Sequence, residues 1–224
     1  MNENVLVNTL IKERSITRKG IFLCFKRLFD ILISIIGMIL LIPILIVVKI
    51  CYMCSKDFHS IVFKQNRIGL NGKEFRFYKI RTMIPNADQE LERLMKEDKE
   101  RAKEYKKYKK LHNDPRVTRG GRFLRKMSLD EFPQFINIFK GDMSLIGPRP
   151  YLPREKEDMK NDYNKLVSCK PGLTGYWQVN GRSNTDFKER IDLDKYYVDH
   201  QSLKLDIKLF FKTFLKILGR DGAK

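Results

Sequence analysis

Apolar positions are spread very unevenly along the chain. Ile31 to Val48, ILISIIGMILLIPILIVV, runs for about 18 residues without a charge. As a helix it reaches about 27 Å, marginal for a bilayer core. Cations flank both ends, with Lys12, Arg14, Arg18, Lys19, Lys26 and Arg27 before it and Lys49, Lys56, Lys64 and Arg67 after it. Basic flanks stay on the cytoplasmic side, which places both ends on one face. A helix broken at Pro43, where a backbone donor is missing, can dip in and return. This predicts a basic interfacial segment over residues 1–25 and a re-entrant membrane helix over residues 26–56. The competing readings are a proline-kinked anchor and a buried core helix. A cleaved signal is disfavoured by the length of the run and by the CYMCS that follows it.

Elsewhere the pattern alternates or repeats. Between Ser202 and Arg220, Lys204, Lys208, Lys212 and Lys216 recur every four residues, while Leu205, Leu209, Phe210, Phe214, Ile217 and Leu218 fall largely on other faces. That predicts an amphipathic helix over residues 202–224, with lipid or the body of the protein on its apolar side. Asn71-Gly72 separates two strand-like segments within Ile61–Thr82 and predicts a β-hairpin. In the second segment Phe75, Phe77, Lys79 and Arg81 alternate onto one face, able to carry an anion. From Asn86 to Asn113 charges of both signs predict an exposed helix with pairs such as Glu92–Lys96. The fold class is therefore α+β, with a central body over residues 57–201 between two membrane-facing ends.

Composition narrows the partners. The chain has 224 residues, with 45 Lys and Arg against 27 Asp and Glu, a net charge of +18. That favours an anionic partner, whether nucleic acid, membrane surface or phosphorylated substrate. A hydrophobic fraction of 42% excludes general disorder. Cys24, Cys51, Cys54 and Cys169 are too scattered for a disulfide framework and point to a reducing compartment. Cys51-x-x-Cys54 has only His59 nearby, short of the four ligands zinc takes. His59, His112 and His200 form no triad by spacing.

After Asp114-Pro115 the texture changes to glycine, arginine and proline: DPRVTRGGRFLRKMSLDEFPQFINIFKGDMSLIGPRP. Gly120-Gly121 and Gly147-Pro148 allow close approach of backbone to a ligand, and Arg116, Arg119, Arg122, Arg125 and Arg149 supply forked donors for phosphate. Within this region Asp130-Glu131 is the adjacent acidic pair. Ser128-x-x-Glu131 has the form of a capping box, but a helix starting there places Pro133 where a donor is required. A start at Asp130 puts Pro133 in the first turn and aligns Phe132, Phe135, Ile136 and Phe139. The carboxylates then sit at the positive end of the helix among arginines, which favours the ionised form. Such a pair suits a nucleophile toward phosphorus and a ligand for Mg²⁺. Capping and surface charge remain the alternatives.

Several blocks, in order, resemble a known family. They are KRLFD at Lys26–Asp30, FRFYKIRTM ending at Met83, DPRVTRGGRFLRKMSLDEFPQ at Asp114–Gln134, GDMSLIGPRP at Gly141–Pro150, PGLTGYWQVNGR at Pro171–Arg182 and DFKERIDLDKYYV at Asp186–Val198. The pattern is similar to the bacterial sugar transferases, the monotopic phosphoglycosyl transferases. The resemblance implies transfer of a sugar 1-phosphate from a UDP-sugar to a polyprenyl (undecaprenyl) phosphate with Mg²⁺, releasing UMP, at the cytoplasmic face of the bacterial inner membrane. It implies a first membrane step of exopolysaccharide, capsule, O-antigen or glycoprotein glycan assembly, with downstream glycosyltransferases as partners and no nucleic acid. Asp130 matches the family's nucleophile and Glu131 its dyad partner and metal ligand. Arg125 matches a substrate-phosphate position, Arg149 lies in the matching G-P-R-P block, and Lys79 and Arg81 end the F-x-x-x-K-x-R-T-M block. The family breaks its re-entrant helix at a Ser-Pro pair, whereas here Ile42 precedes Pro43. Larger members carry additional membrane helices and a further domain, so this chain reads as the minimal catalytic form.

Two other readings fit parts of the sequence. A metal-dependent membrane glycosyltransferase would use the same donor but release UDP. A membrane-tethered nucleic-acid-binding protein would explain +18 and bind with steep salt dependence, although no nucleic-acid fold signature is present. Tyr176 and Trp177 read as core or turn residues, with stacking on uracil as the functional alternative. The sugar, the glycan pathway and the oligomeric state are not encoded in any of these motifs.

Overall fold

The computed structural model describes residues 3–181 and 185–219, with side chains described over 20–181 and 185–216. Lys12, Arg14, Arg18, Lys19, Ile217 and Leu218 fall outside the described side chains, and Arg182 and Arg220 outside the described residues. Helix α1 runs from Glu3 to Cys54, with Pro43 inside it. No backbone break marks residue 26, and the chain stays helical on both sides of the proline. Within Gly20–Cys54 it is long and apolar enough to cross a membrane.

One stripe of α1, Asp30, Ser34, Gly37, Leu41, Val48 and Tyr52, is buried, and its spacing of three, four or seven is that of a single helical face. Gly37 is required there because a Cβ would collide with the ring of Phe135. The remainder of the helix exposes Leu32, Ile36, Ile39, Ile42, Ile46 and Ile50, far more contiguous apolar surface than a water-facing helix shows. Both ends of this stretch are tied to the same body. Lys26 Nζ donates to the Ile146 carbonyl at 2.8 Å, and the Tyr52 hydroxyl donates to the Arg81 carbonyl.

The hairpin expected from Asn71-Gly72 is present. Strands β1 (Val62–Ile68) and β2 (Glu74–Ile80) pair antiparallel, Gln65 opposite Phe77. A short turn at Leu70–Gly72 joins them, with Asn71 at φ 55° and Gly72 at φ 79°, the left-handed conformations that Asn and Gly tolerate. The charge-rich stretch forms two helices rather than one, α2 (Ala87–Glu97) and α3 (Lys99–Tyr108). Asp98 interrupts them because its carboxylate accepts from the backbone N–H of Glu100 and Arg101, a cap that competes with continuing the helix. Their apolar faces are not fully solvated, since Leu91, Leu94 and Leu111 pack together.

Helix α4 (Arg119–Lys126) starts at a Thr118 cap and is followed by a 3₁₀ turn, Leu129–Glu131, and α5 (Gln134–Lys140). The chain then forms β3 (Ser144–Ile146), the short helices α6 (Lys156–Met159) and α7 (Tyr163–Leu166), β4 (Gly172–Thr174), α8 (Tyr176–Asn180), α9 (Phe187–Asp199) and α10 (Leu203–Gly219). Strands β3 and β4 form a separate parallel ladder. Beside it Gly147 and Gly172 pass so closely that a Cβ on either would strike the other's backbone. The main core gathers Phe77, Ile138, Met143, Ile146, Tyr197 and Leu209, joining hairpin, α5, β3, α9 and α10.

Helix α10 differs in detail from the expected lipid-facing arrangement. Leu209 is buried and Leu205 and Phe210 pack against the core, whereas Leu203, Ile207, Phe211, Phe214 and Leu215 form the exposed apolar side. Lys204, Lys208 and Lys212 are exposed beside it, while Lys216 is half-buried and its Nζ donates to the Gln178 carbonyl at 3.5 Å. Body packing and an outward apolar stripe thus occupy different faces of one helix.

Candidate active site

Lys79, Asp130 and Glu131 converge where the end of β2 meets the turn before α5. Period-two alternation sends Lys79 to the same side as Phe77, and its Nζ lies 3.4 Å from Asp130 Oδ2 and 2.8 Å from Glu131 Oε1. Asp130 is only 6% exposed, while the Glu131 side chain is 41% exposed. The turn depends on Ser128, which adopts φ 54° and makes no side-chain cap bond. The capping box whose form Ser128-x-x-Glu131 has is not made, because Ser128 serves as the left-handed joint after α4. Likewise α5 begins at Gln134 with Pro133 as its cap, so the carboxylates occupy the preceding 3₁₀ turn instead of the first turn of α5.

The electrostatics also differ from the expectation of a freely ionised pair. Burial pushes the Asp130 carboxyl above its ordinary pKa, and the neighbouring Glu131 adds to this, while Lys79 and Arg125 pull it down. Desolvation outweighs the nearby cations here. Arg125 reaches this site through its charge; its Nε donates to Thr82 Oγ1 at 2.9 Å.

Arg81 and Arg149 stand elsewhere. Arg81 lies just past β2, where Nε donates to the Ser60 carbonyl (2.8 Å), Nη1 to the Met83 carbonyl (3.2 Å) and Nη2 to Asp57 Oδ2 (2.8 Å). It also stacks on Tyr52. These bonds tie the end of α1 to the hairpin and hold the Asp57 carboxyl down at about 2. Arg149 belongs to a second cationic cluster with Arg67 and Arg190. Trp177 lies under both Arg149 and Arg190, at 5.9 and 5.0 Å from ring centre to guanidinium carbon. Burial, with repulsion from Arg149 and Arg154, lowers Arg67 to about 9. The two clusters share Phe77: Arg67 and Lys79 lie 5.2 and 5.8 Å from its ring centre, hence no more than about 11 Å apart. Asp194, buried below, accepts from the Arg149 backbone N–H at 3.0 Å and the Tyr151 hydroxyl at 2.8 Å, and burial raises it to about 7.

Among the described residues no set of three His, Cys, Asp or Glu is grouped to hold a metal. Cys51 and Cys54 are exposed at the end of α1. The donor chemistry of Asp130 and Glu131 suits Mg²⁺, which is commonly held by one or two carboxylates completed by substrate phosphates and water.

Positioning residues that periodicity could not reveal hold this site to α1. Asn137 Oδ1 accepts from Tyr78 N–H at 3.1 Å and its Nδ2 donates to the Arg76 carbonyl at 2.7 Å, fixing α5 on β2. Arg27 donates to the Ile138 and Phe139 carbonyls at 2.6 and 2.7 Å, capping the negative end of α5. Asp30 accepts from Leu145 N–H and Ser144 Oγ, and Lys26 pairs with Asp206 at 2.5 Å. The block KRLFD marks three of these residues without indicating their partners.

The sequence model of a family described as bacterial sugar transferase matches residues 21–220. The chain belongs to this family. Among relatives of these sugar transferases, an undecaprenyl-phosphate galactose phosphotransferase from Salmonella typhimurium is 43% identical over 198 residues, covering 88% of this chain and 41% of that protein. The exopolysaccharide production protein ExoY of Sinorhizobium fredii is 41% identical over 198 residues, covering 88% and 87%. A UDP-glucose:undecaprenyl-phosphate glucose-1-phosphate transferase from Klebsiella pneumoniae is 37% identical over 205 residues, covering 88% and 41%. The chain spans about two-fifths of the length of several of the relatives it matches.

Proposed function

We propose that this chain transfers a sugar 1-phosphate from a UDP-sugar to undecaprenyl phosphate in exopolysaccharide or capsule synthesis, releasing UMP. The observation that carries the reading is the buried Asp130, held by Lys79 beside Glu131 in a chain whose relatives are named for this class of transfer. An Asp130 carboxylate oxygen attacks the β-phosphorus of the donor. The bond from that phosphorus to the bridging oxygen breaks, and UMP leaves with the electron pair. A phosphate oxygen of the lipid then attacks the aspartyl-phosphosugar, breaking the Asp130 O–P bond and restoring the carboxylate. Lys79 opposes the effect of burial on the nucleophile's carboxyl and orients both acids. Glu131 would hold Mg²⁺ beside the Asp130 nucleophile, and the ion would supply charge neutralisation at the diphosphate. Arg67, which shares the Phe77 ring with Lys79, and Arg149 and Arg190, which lie over Trp177, bind the nucleotide end of the donor, and Arg125 the transferring phosphate.

What surrounds the site supports placing it at membrane level. Helix α4, which carries Arg125, packs Leu124 against α1 and exposes Phe123 and Met127. Attachment of both ends of the apolar stretch of α1 to one body supports a monotopic, re-entrant placement on the cytoplasmic face. The acceptor's phosphate, confined to the headgroup layer, then meets Asp130 without leaving the bilayer. Incubation with UDP-sugars and undecaprenyl phosphate tests the reading: UMP and a lipid-linked diphosphosugar are expected, whereas UDP release would assign a glycosyltransferase.

A further inference from the structure

Asp130, Gln134 and Asn137 are four and then three residues apart along the right-handed turns from Leu129 to Lys140, so they form one stripe. The stripe faces β2. Its first member meets Lys79 at 3.4 Å, and its third exchanges two hydrogen bonds with the backbone at Tyr78 and Arg76. The middle one does neither. Gln134 is 2% exposed, and its Nε2, a two-proton donor, has no hydrogen-bond partner. Buried carboxamides are almost always satisfied, and an exception one helical turn along the same stripe from a reactive group points to a partner that arrives with the substrate.

We propose that Gln134 is a substrate-binding residue whose carboxamide donates a hydrogen bond to a phosphoryl oxygen of the phosphosugar carried on Asp130. The inference rests on the phosphotransfer reading above and adds a neutral donor to it. Such a donor stabilises the oxygens of the transferring group without competing, as a further cation would, for the Asp130 carboxylate. The resting protein bears an unsatisfied polar group, so Gln134 contributes to turnover at the expense of stability.

The test uses the full chain in detergent or nanodiscs, with Gln134→Leu and Gln134→Met as shape-conserving variants and Gln134→Glu as the variant that exchanges donor for acceptor. Thermal unfolding without substrate, UMP release with UDP-sugar and undecaprenyl phosphate, and the Asp130 adduct by intact mass are measured together. The apolar variants should unfold at or above the wild-type midpoint while kcat falls about 10- to 100-fold, and Gln134→Glu should be at least as impaired. A lowered midpoint with unchanged turnover per folded molecule, failure of all three variants to fold, or kcat within twofold of wild type would each overturn the inference. Wild-type protein that releases no UMP would instead sink the phosphotransfer reading and this inference with it.

Discussion

The molecule contains two lysine–carboxylate clusters that resemble each other on paper and differ in what they leave undone. Where α1 meets α10, Lys26 meets Asp206 at 2.5 Å, the Ile146 carbonyl and the Tyr197 hydroxyl, and that hydroxyl donates to the other Asp206 oxygen at 2.7 Å. The network is closed and joins α1 to α10. At the other cluster one Lys79 serves two carboxylates, Asp130 Oδ2 and Glu131 Oε1. Among the described residues no hydrogen bond engages Asp130 Oδ1 or Glu131 Oε2. A saturated pair fixes geometry, and an unsaturated one can accept a cation or form a bond. This contrast is the basis for proposing architecture for Lys26 and chemistry for Lys79.

Perturbing the open cluster should abolish activity without unfolding the chain. Asp130→Asn should lower UMP release about 10⁴-fold or more while leaving thermal stability equal or higher, because a buried ionisable group is gone. The closed cluster should behave in the opposite way. Lys26→Met leaves Asp206 buried without its partner and should destabilise by about 3–5 kcal/mol; Lys26→Met with Asp206→Leu should recover much of the loss, and turnover per folded molecule should stay near wild type. Chemical denaturation paired with UMP release separates the two outcomes.

Lys79→Met tests the open cluster more finely, with an expected loss of about 100-fold, or about 2.7 kcal/mol. Lys79 pulls down a carboxyl that burial has raised, so its removal lets the Asp130 pKa rise further. The acidic limb of the pH–rate profile should move to higher pH. The smallest effect is expected at Arg81, whose bonds are also closed. Its partner Asp57 is held at about 2, below the unfolded value, so their pairing stabilises the fold above pH ~4 and fades as pH falls toward 2. Asp57→Asn should cost about 1 kcal/mol at neutral pH and nothing at pH ~2, with turnover unchanged.

What could be read in the sequence was whatever a local pattern encodes. The apolar run of α1, the Asn71-Gly72 hairpin and the α+β class follow from periodicity and from residues that tolerate positive φ. Asp130-Glu131 was visible as an acidic pair among arginines, but its burial was not, because the side chains that desolvate it come from distant segments. Arg81 and Lys79, two residues apart, looked equivalent; the end of β2 sends one to the dyad and the other to Asp57. The break at Asp98 turned on a side chain capping its own backbone instead of continuing a helix. Pairing of β3 with β4, Asn137 on β2 and Lys26 with Asp206 are long-range contacts, on which helical or strand periodicity carries no information.

The central claim, that Asp130 is the covalent acceptor, is tested most directly by mixing the protein with UDP-sugar in the absence of lipid acceptor and measuring intact and peptide mass. A sugar-phosphate adduct on Asp130 with a matching burst of UMP is predicted. Unmodified protein, or an adduct that persists in Asp130→Asn, would contradict it.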